Sequence, residues 1–164
     1  MNRLLSWGGH PPIALAARLY LGWVFLYACW HKIQHPADFA LDIATYQILP
    51  LSLINIMAIV LPWLELIAGG LLILGFRTRA AALCISGMMV MFTVAIAIAV
   101  ARGQDMSCGC FASQGVVEDP ISYLTVLRDL GWTVLALYVL VFDRRPLGID
   151  GWRLWRKDNA GSPA

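Results

Sequence analysis

Cys108 and Cys110 stand one residue apart in "DMSCGCFASQG", residues 105–115, the most polar stretch in the middle of a very apolar chain of 164 residues. A Cys-Gly-Cys pair closes a very small ring, in which a disulfide departs from relaxed geometry and becomes easier to reduce. Gly109 suits the middle position, because the residue between the sulfurs must take up whatever backbone angles the ring demands. The spacing therefore points to thiol-disulfide exchange or ligation. Inert thiols, or thiols paired with other partners, are the competing reading.

Two further groups bear on this pair. Cys29 falls at the same end of the chain's first apolar block and could serve as a third thiol in a relay; a buried small hydrophobe is the alternative. His31, Lys32 and His35 follow directly. Histidines beside a Cys-x-Cys can complete a zinc or copper site or lower a thiol pKa by charge. The usual two-residue spacing between ligand cysteines is absent, so no metal is assigned. Cys84 is read as packing.

Charged residues inside apolar blocks form a second signal. Arg18, Glu65, Arg128 and Asp129 all interrupt such blocks, where an ionised group at mid-bilayer costs about 2.5–3.5 kcal/mol on insertion scales. They should face the bundle interior and pair. At about 1.5 Å per residue, Arg18 and Glu65 fall at a common depth, which makes them the expected ion pair. Taking about 100° per residue, Arg18, Gly22, Phe25, Cys29 and Lys32 share one helical stripe, and Ala58, Pro62, Glu65 and Gly69 share another. The second is a small-residue face suited to close helix approach. Buried pairs also serve simply to lock helix registry.

The elements that must position these residues follow from composition. The chain is 60% hydrophobic and 13% charged, against about 25% charged in a soluble domain, and its apolar residues fall into blocks near the roughly 20 residues that span a hydrocarbon core. The expected spans are residues 13–31, 51–75, 80–101 and 121–142. None alternates as barrel strands do, so the fold class is all-α: one four-helix transmembrane domain over 1–142, followed by a basic amphipathic tail over 143–164. The N-terminal block has no cleavage signature and is read as a retained helix.

Arg3, Arg77, Arg79, Arg144, Arg145, Arg153, Arg156 and Lys157 gather at one end of these spans, with Lys32 and Arg102 at the other. By the positive-inside rule both termini are cytoplasmic and the 102–120 connection faces outward. The net charge of +2 is thus a topology signal, and no nucleic-acid partner is inferred. In a bacterial inner membrane the thiol pair would lie on the disulfide-permissive face, in a connection long enough to be structured and functional.

The segments "RLYLGWVFLYACWHKIQHPADFA", "YQILP", "ELIAGGLLILGFRTRAA", "DMSCGCF" and "LRDLGWTVLALYVL" resemble, in this order, the methylamine-utilisation MauE family within the wider DoxX-like group of four-helix membrane proteins. The resemblance covers residues 13 to 142. It implies a role in maturing an exported protein, such as the disulfide-rich small subunit of methylamine dehydrogenase, with a thioredoxin-like partner. DoxX-like relatives add the possibility of a quinone cofactor. The family's Cys-Gly-Cys-Phe maps to Cys108, Gly109, Cys110 and Phe111, its first-helix arginine to Arg18, its second-helix acid to Glu65 and its fourth-helix arginine to Arg128. Its glycine after Phe is Ala112 here. The expected function is membrane thiol-disulfide exchange in protein maturation. A non-catalytic assembly factor, a quinone-linked oxidoreductase subunit and a small-solute or metal carrier are the alternatives.

Overall fold

A computed structural model describes residues 10–103 and 123–143. Its helices are α1 (His10–Gln34), α2 (Pro36–Thr45), α3 (Leu51–Leu74), α4 (Thr78–Ala101) and α5 (Tyr123–Phe142). No strand occurs among the described residues. Four segments are long and apolar enough to cross a membrane: Pro12–Gln34 within α1, then α3, α4 and α5. The chain is a multi-pass helical membrane protein, as its composition predicts, with α1 reaching three residues beyond its expected bounds at each end. The Cys108–Cys110 pair and the basic tail from Arg144 onward lie outside the described residues.

Local sequence explains where the helices stop and start. Pro11 and Pro12 stand in the first turn of α1, where a missing amide donor costs nothing. Gly75 ends α3 at φ 67°, a left-handed conformation that favours glycine. The amide of Phe76 donates to the Leu71 carbonyl at 3.1 Å and that of Gly75 to Leu72 at 3.4 Å, which satisfies carbonyls the helix would otherwise leave open.

The spans run up and down in order, so α1 packs on α3, α3 on α4, α4 on α5, and α5 returns to α1. The α1/α3 and α4/α5 pairs are the more extensive, and they face each other across thinner seams. Leu21, Phe25, Leu72, Ile85, Met89 and Val139 fill the centre, while Trp23, Tyr27, Trp30, Ile56, Leu124 and Val134 stay exposed, as the lipid-facing side of a bundle requires. Three buried hydroxyls are satisfied within their own helices: Ser86 donates to the Ala82 carbonyl at 2.7 Å, Thr93 to that of Met89 at 2.7 Å, and Thr133 to that of Asp129 at 2.8 Å. Without water in the hydrocarbon, such back-bonding is the available alternative to burying a bare donor.

The α1/α3 pair crosses at two glycines. A Cβ on Gly22 would sit 2.5 Å from Ile73 Cγ1 and 3.0 Å from the Gly69 carbonyl oxygen, and one on Gly69 would sit 3.1 Å from the Gly22 carbonyl oxygen. The backbones touch here. This contact fixes the relative depth of everything else on the two helices.

Helix α2 was not expected. The expected spans left 31–50 as a connection between them, yet Pro36 opens a helix that turns buried Phe39 toward the bundle, and buried Tyr46, just beyond its end, packs with Ile96 and Ala99 of α4. Phe39, Ile43 and Tyr46 recur at four- and three-residue steps, with Asp38 and Asp42 off that face, a helical pattern hidden by its shortness. Burial raises the Asp42 carboxyl above its ordinary value of 3.8, with Asp38 adding to the effect, while Lys32 and His31 oppose it. The folded state then holds this proton more tightly than the unfolded chain, so stability falls as pH rises from 3.8 through the folded pKa. Asp42→Asn is therefore expected to raise the thermal midpoint in detergent at neutral pH. The gain should vanish in acid; a gain independent of pH would contradict this account.

Candidate functional site

The two predicted stripes are the buried faces of their helices. Arg18, Gly22, Phe25, Cys29 and Lys32 are all buried on α1, as are Ala58, Pro62, Glu65 and Gly69 on α3. Their charges pair differently from expectation. Lys32 Nζ donates to both carboxylate oxygens of Glu65, at 2.9 and 3.1 Å, with the two side chains 6% and 3% exposed. Arg18 Nη1 instead meets Asp143 Oδ2 at 3.2 Å, just past α5. The expected Arg18–Glu65 pair does not form.

The reason is register together with side-chain direction. From the Gly22–Gly69 crossing, Arg18 lies four residues toward one end of the bundle and Glu65 four residues toward the other, a separation of about 12 Å along the axes. Helical side chains also lean toward their own N-terminus. On antiparallel helices Arg18 and Glu65 thus lean apart, whereas Lys32 and Glu65 lean toward each other. Lys32, which the sequence places between His31 and His35 at the outer flank of the first span, is an intramembrane charge drawn inward. Depth counting failed because it took the outer ends of the two helices as level: α3 starts at Leu51, as expected, 18 residues from Gly69, whereas α1 ends at Gln34, 12 residues from Gly22.

Aromatic rings complete the ammonium's surroundings. Lys32 Nζ lies 4.8 Å from the Phe39 ring centre on α2 and 5.3 Å from that of Phe92 on α4. Three helices besides α1 therefore converge on one lysine. In a low-dielectric interior, cation–π contacts of this kind are worth about 2 kcal/mol or more when desolvated.

Asp129 approaches from α5. Its Oδ1 accepts from Arg128 Nε at 3.4 Å, and Arg128 also lies 5.0 Å from the Trp132 ring centre. Asp129 is 1% exposed, and its Oδ2 has no hydrogen-bond partner among the described residues. A cavity of about 40 Å³ separates it from the Lys32–Glu65 pair, with Phe25, Met89, Phe92 and Trp132 in its walls. Such a space suits a water-sized molecule bridged between carboxylates and ammonium. It does not fit a quinone ring beside Glu65, so no quinone step is derived there.

Cys29 has no exposed surface, and its Sγ donates to the Leu26 carbonyl at 3.2 Å. For this thiol to reach another sulfur, α1 would have to leave its neighbours. His31 and His35 stack at the end of α1, with ring centres 4.7 Å apart. Cys108, Gly109, Cys110 and Phe111 lie outside the described residues. Asp143 was missed at the sequence level. Its signal was an acid abutting the last apolar block, masked by the arginines that follow it.

This set of features defines a four-span helical membrane protein with buried charge pairs between its helices and a Cys-Gly-Cys sequence between its last two spans. The methylamine utilisation protein MauE family model matches residues 10–142, and the chain belongs to that family. It is 33% identical over 131 residues to the methylamine utilization protein MauE of Paracoccus denitrificans, covering 79% of this chain and 69% of that one. The MauE of Methylophilus methylotrophus is 34% identical over 143 residues, covering 86% and 73%. That of Methylorubrum extorquens is 36% identical over 128 residues, covering 77% and 67%. No solved structure matches the chain.

Proposed function

We propose that this chain assists maturation of an exported, disulfide-rich protein at the bacterial inner membrane, by thiol-disulfide exchange through Cys108 and Cys110 with a thioredoxin-like partner. The reading is supported by the Cys-Gly-Cys spacing in the sequence, by membership of the MauE family, and by a bundle interior whose described charges are largely engaged with one another. Chemistry would then occur at the membrane surface, and the charges would hold the helices that present it. The names of the relatives tie them to methylamine utilisation, and we carry that context over to this chain.

The exchange is balanced within the two proteins. One thiolate of the pair attacks a partner disulfide, forming a mixed disulfide and displacing one partner thiolate. The second thiolate of the pair then attacks the mixed bond, closing Cys108–Cys110 and releasing the partner's other thiolate. Two electrons pass from the pair to the partner, and the reverse sequence returns them. Cys29 stays enclosed throughout and takes no part.

Alkylation of isolated membranes, read as a mass shift, tests this. Cys108 and Cys110 should divide between reduced and oxidised forms, and addition of oxidised thioredoxin should move the balance toward the disulfide. Cys110→Ser should trap a mixed disulfide through Cys108, whereas Cys29→Ser should leave the exchange intact. A pair that stays wholly reduced with oxidised thioredoxin present would sink the proposal.

A further inference from the structure

A second, larger cavity of about 410 Å³ lies in the α3/α4 seam at the α2 end. Met57 and Leu61 of α3 face Met91, Ala95 and Ile98 of α4 across it. Ile43 and Tyr46 close its top. Among the described residues, no charged side chain lines it. Met91 and Val94 line it while remaining 40% and 51% exposed, so the space opens sideways, out of the bundle.

Depth decides what it meets there. Ile98 stands three residues inside the end of α4 and Leu61 ten residues inside the start of α3, which places the cavity about 5–15 Å below the helix ends. That interval falls within one half of a hydrocarbon core about 30 Å thick. A side opening at this level faces acyl chains. Met91, Ala95, Ile98 and Arg102 follow at helical spacing on one face, and the Arg102 amide donates to the Ile98 carbonyl at 3.0 Å. The exposed Arg102 therefore stands one turn above the mouth, at the level of lipid headgroups.

We propose that this cavity binds one acyl chain of a membrane phospholipid whose phosphate rests on Arg102. A flexible methylene chain matches a dry wall rich in methionine, which adapts to irregular shapes. The Arg102 guanidinium above it complements the phosphate, as basic residues near a bilayer surface do. Phe92 lines both this cavity and the small polar one, so the bound chain lies against the ring that also contacts Lys32. The proposal stands independently of the thiol chemistry.

Native mass spectrometry of the full chain, reconstituted in vesicles of phosphatidylethanolamine and phosphatidylglycerol and then extracted into detergent, tests it. One phospholipid per chain should survive extraction. Ala95→Trp, which fills the space without removing a wall, should lower the retained fraction roughly tenfold, and Ile98→Trp, which blocks the mouth, should do the same. Arg102→Gln should lower it roughly fivefold, and because that side chain is exposed the variant remains informative if the filling variants do not fold. The proposal is overturned if the parent chain retains no lipid, if Arg102→Gln or a folded filling variant retains as much as the parent, or if the retained mass is a neutral isoprenoid.

Discussion

Lys32→Met should lower the unfolding free energy in detergent by about 3–5 kcal/mol, because it leaves the buried Glu65 carboxyl without its partner. Glu65→Gln should do comparable damage by stranding the ammonium, which Phe39 and Phe92 attract but do not neutralise. The double variant Lys32→Met/Glu65→Leu should regain most of the loss, since an apolar pair of similar volume removes both desolvation costs together. Partner identity is tested in the same experiment. Arg18→Met should not rescue Glu65→Leu, as the two groups lean apart; rescue by Arg18→Met would restore the pairing expected from depth counting and overturn the one described. Denaturation curves for the five variants, with Glu65→Leu alone as the reference for rescue, separate these outcomes.

The second large effect concerns the glycine crossing. Gly22→Leu should abolish accumulation of folded protein, because even its Cβ would overlap Ile73 and press on the Gly69 carbonyl. Gly22→Ala should cost about 1–3 kcal/mol as the helices separate to make room. Gly70→Ala and Gly87→Ala provide the contrast, for an added Cβ meets nothing within 4 Å at either position. Both should be neutral or slightly stabilising through better helix propensity. Equal losses at Gly22 and Gly70 would mean that glycine matters here for some reason other than close approach.

Much of the fold is written in the apolar blocks. Their lengths and low charge specify helices that cross a bilayer, and the helical phase of Arg18, Lys32 and Glu65 identifies which faces turn inward. Phase is a property of one helix and can be read locally. Pairing is a property of two helices, and it depends on the crossing point, which one sequence does not reveal until Gly22 and Gly69 are known to touch. That is why the inward stripes were legible while the partner of Glu65 was not. The missing α2 has a different cause: ten residues between a proline and a polar turn fall below the length at which periodicity stands out, and packing of Phe39 and Tyr46 decides the outcome. Asp143 was obscured because a single acid beside Arg144 and Arg145 looks like part of a basic surface.

The two charge contacts also differ in when they become possible during synthesis. Lys32 and Glu65 both belong to the first hairpin of spans, 33 residues apart, so their contact can form as soon as α3 enters the membrane. Arg18 and Asp143 are separated by 125 residues, and their contact must wait until the last span has been made. A ribosome-bound chain ending within α5 would hold the first ion pair and lack the second. The Arg18–Asp143 bond thus marks completion of the four spans, joining the first to the end of the last only after everything between them has been inserted.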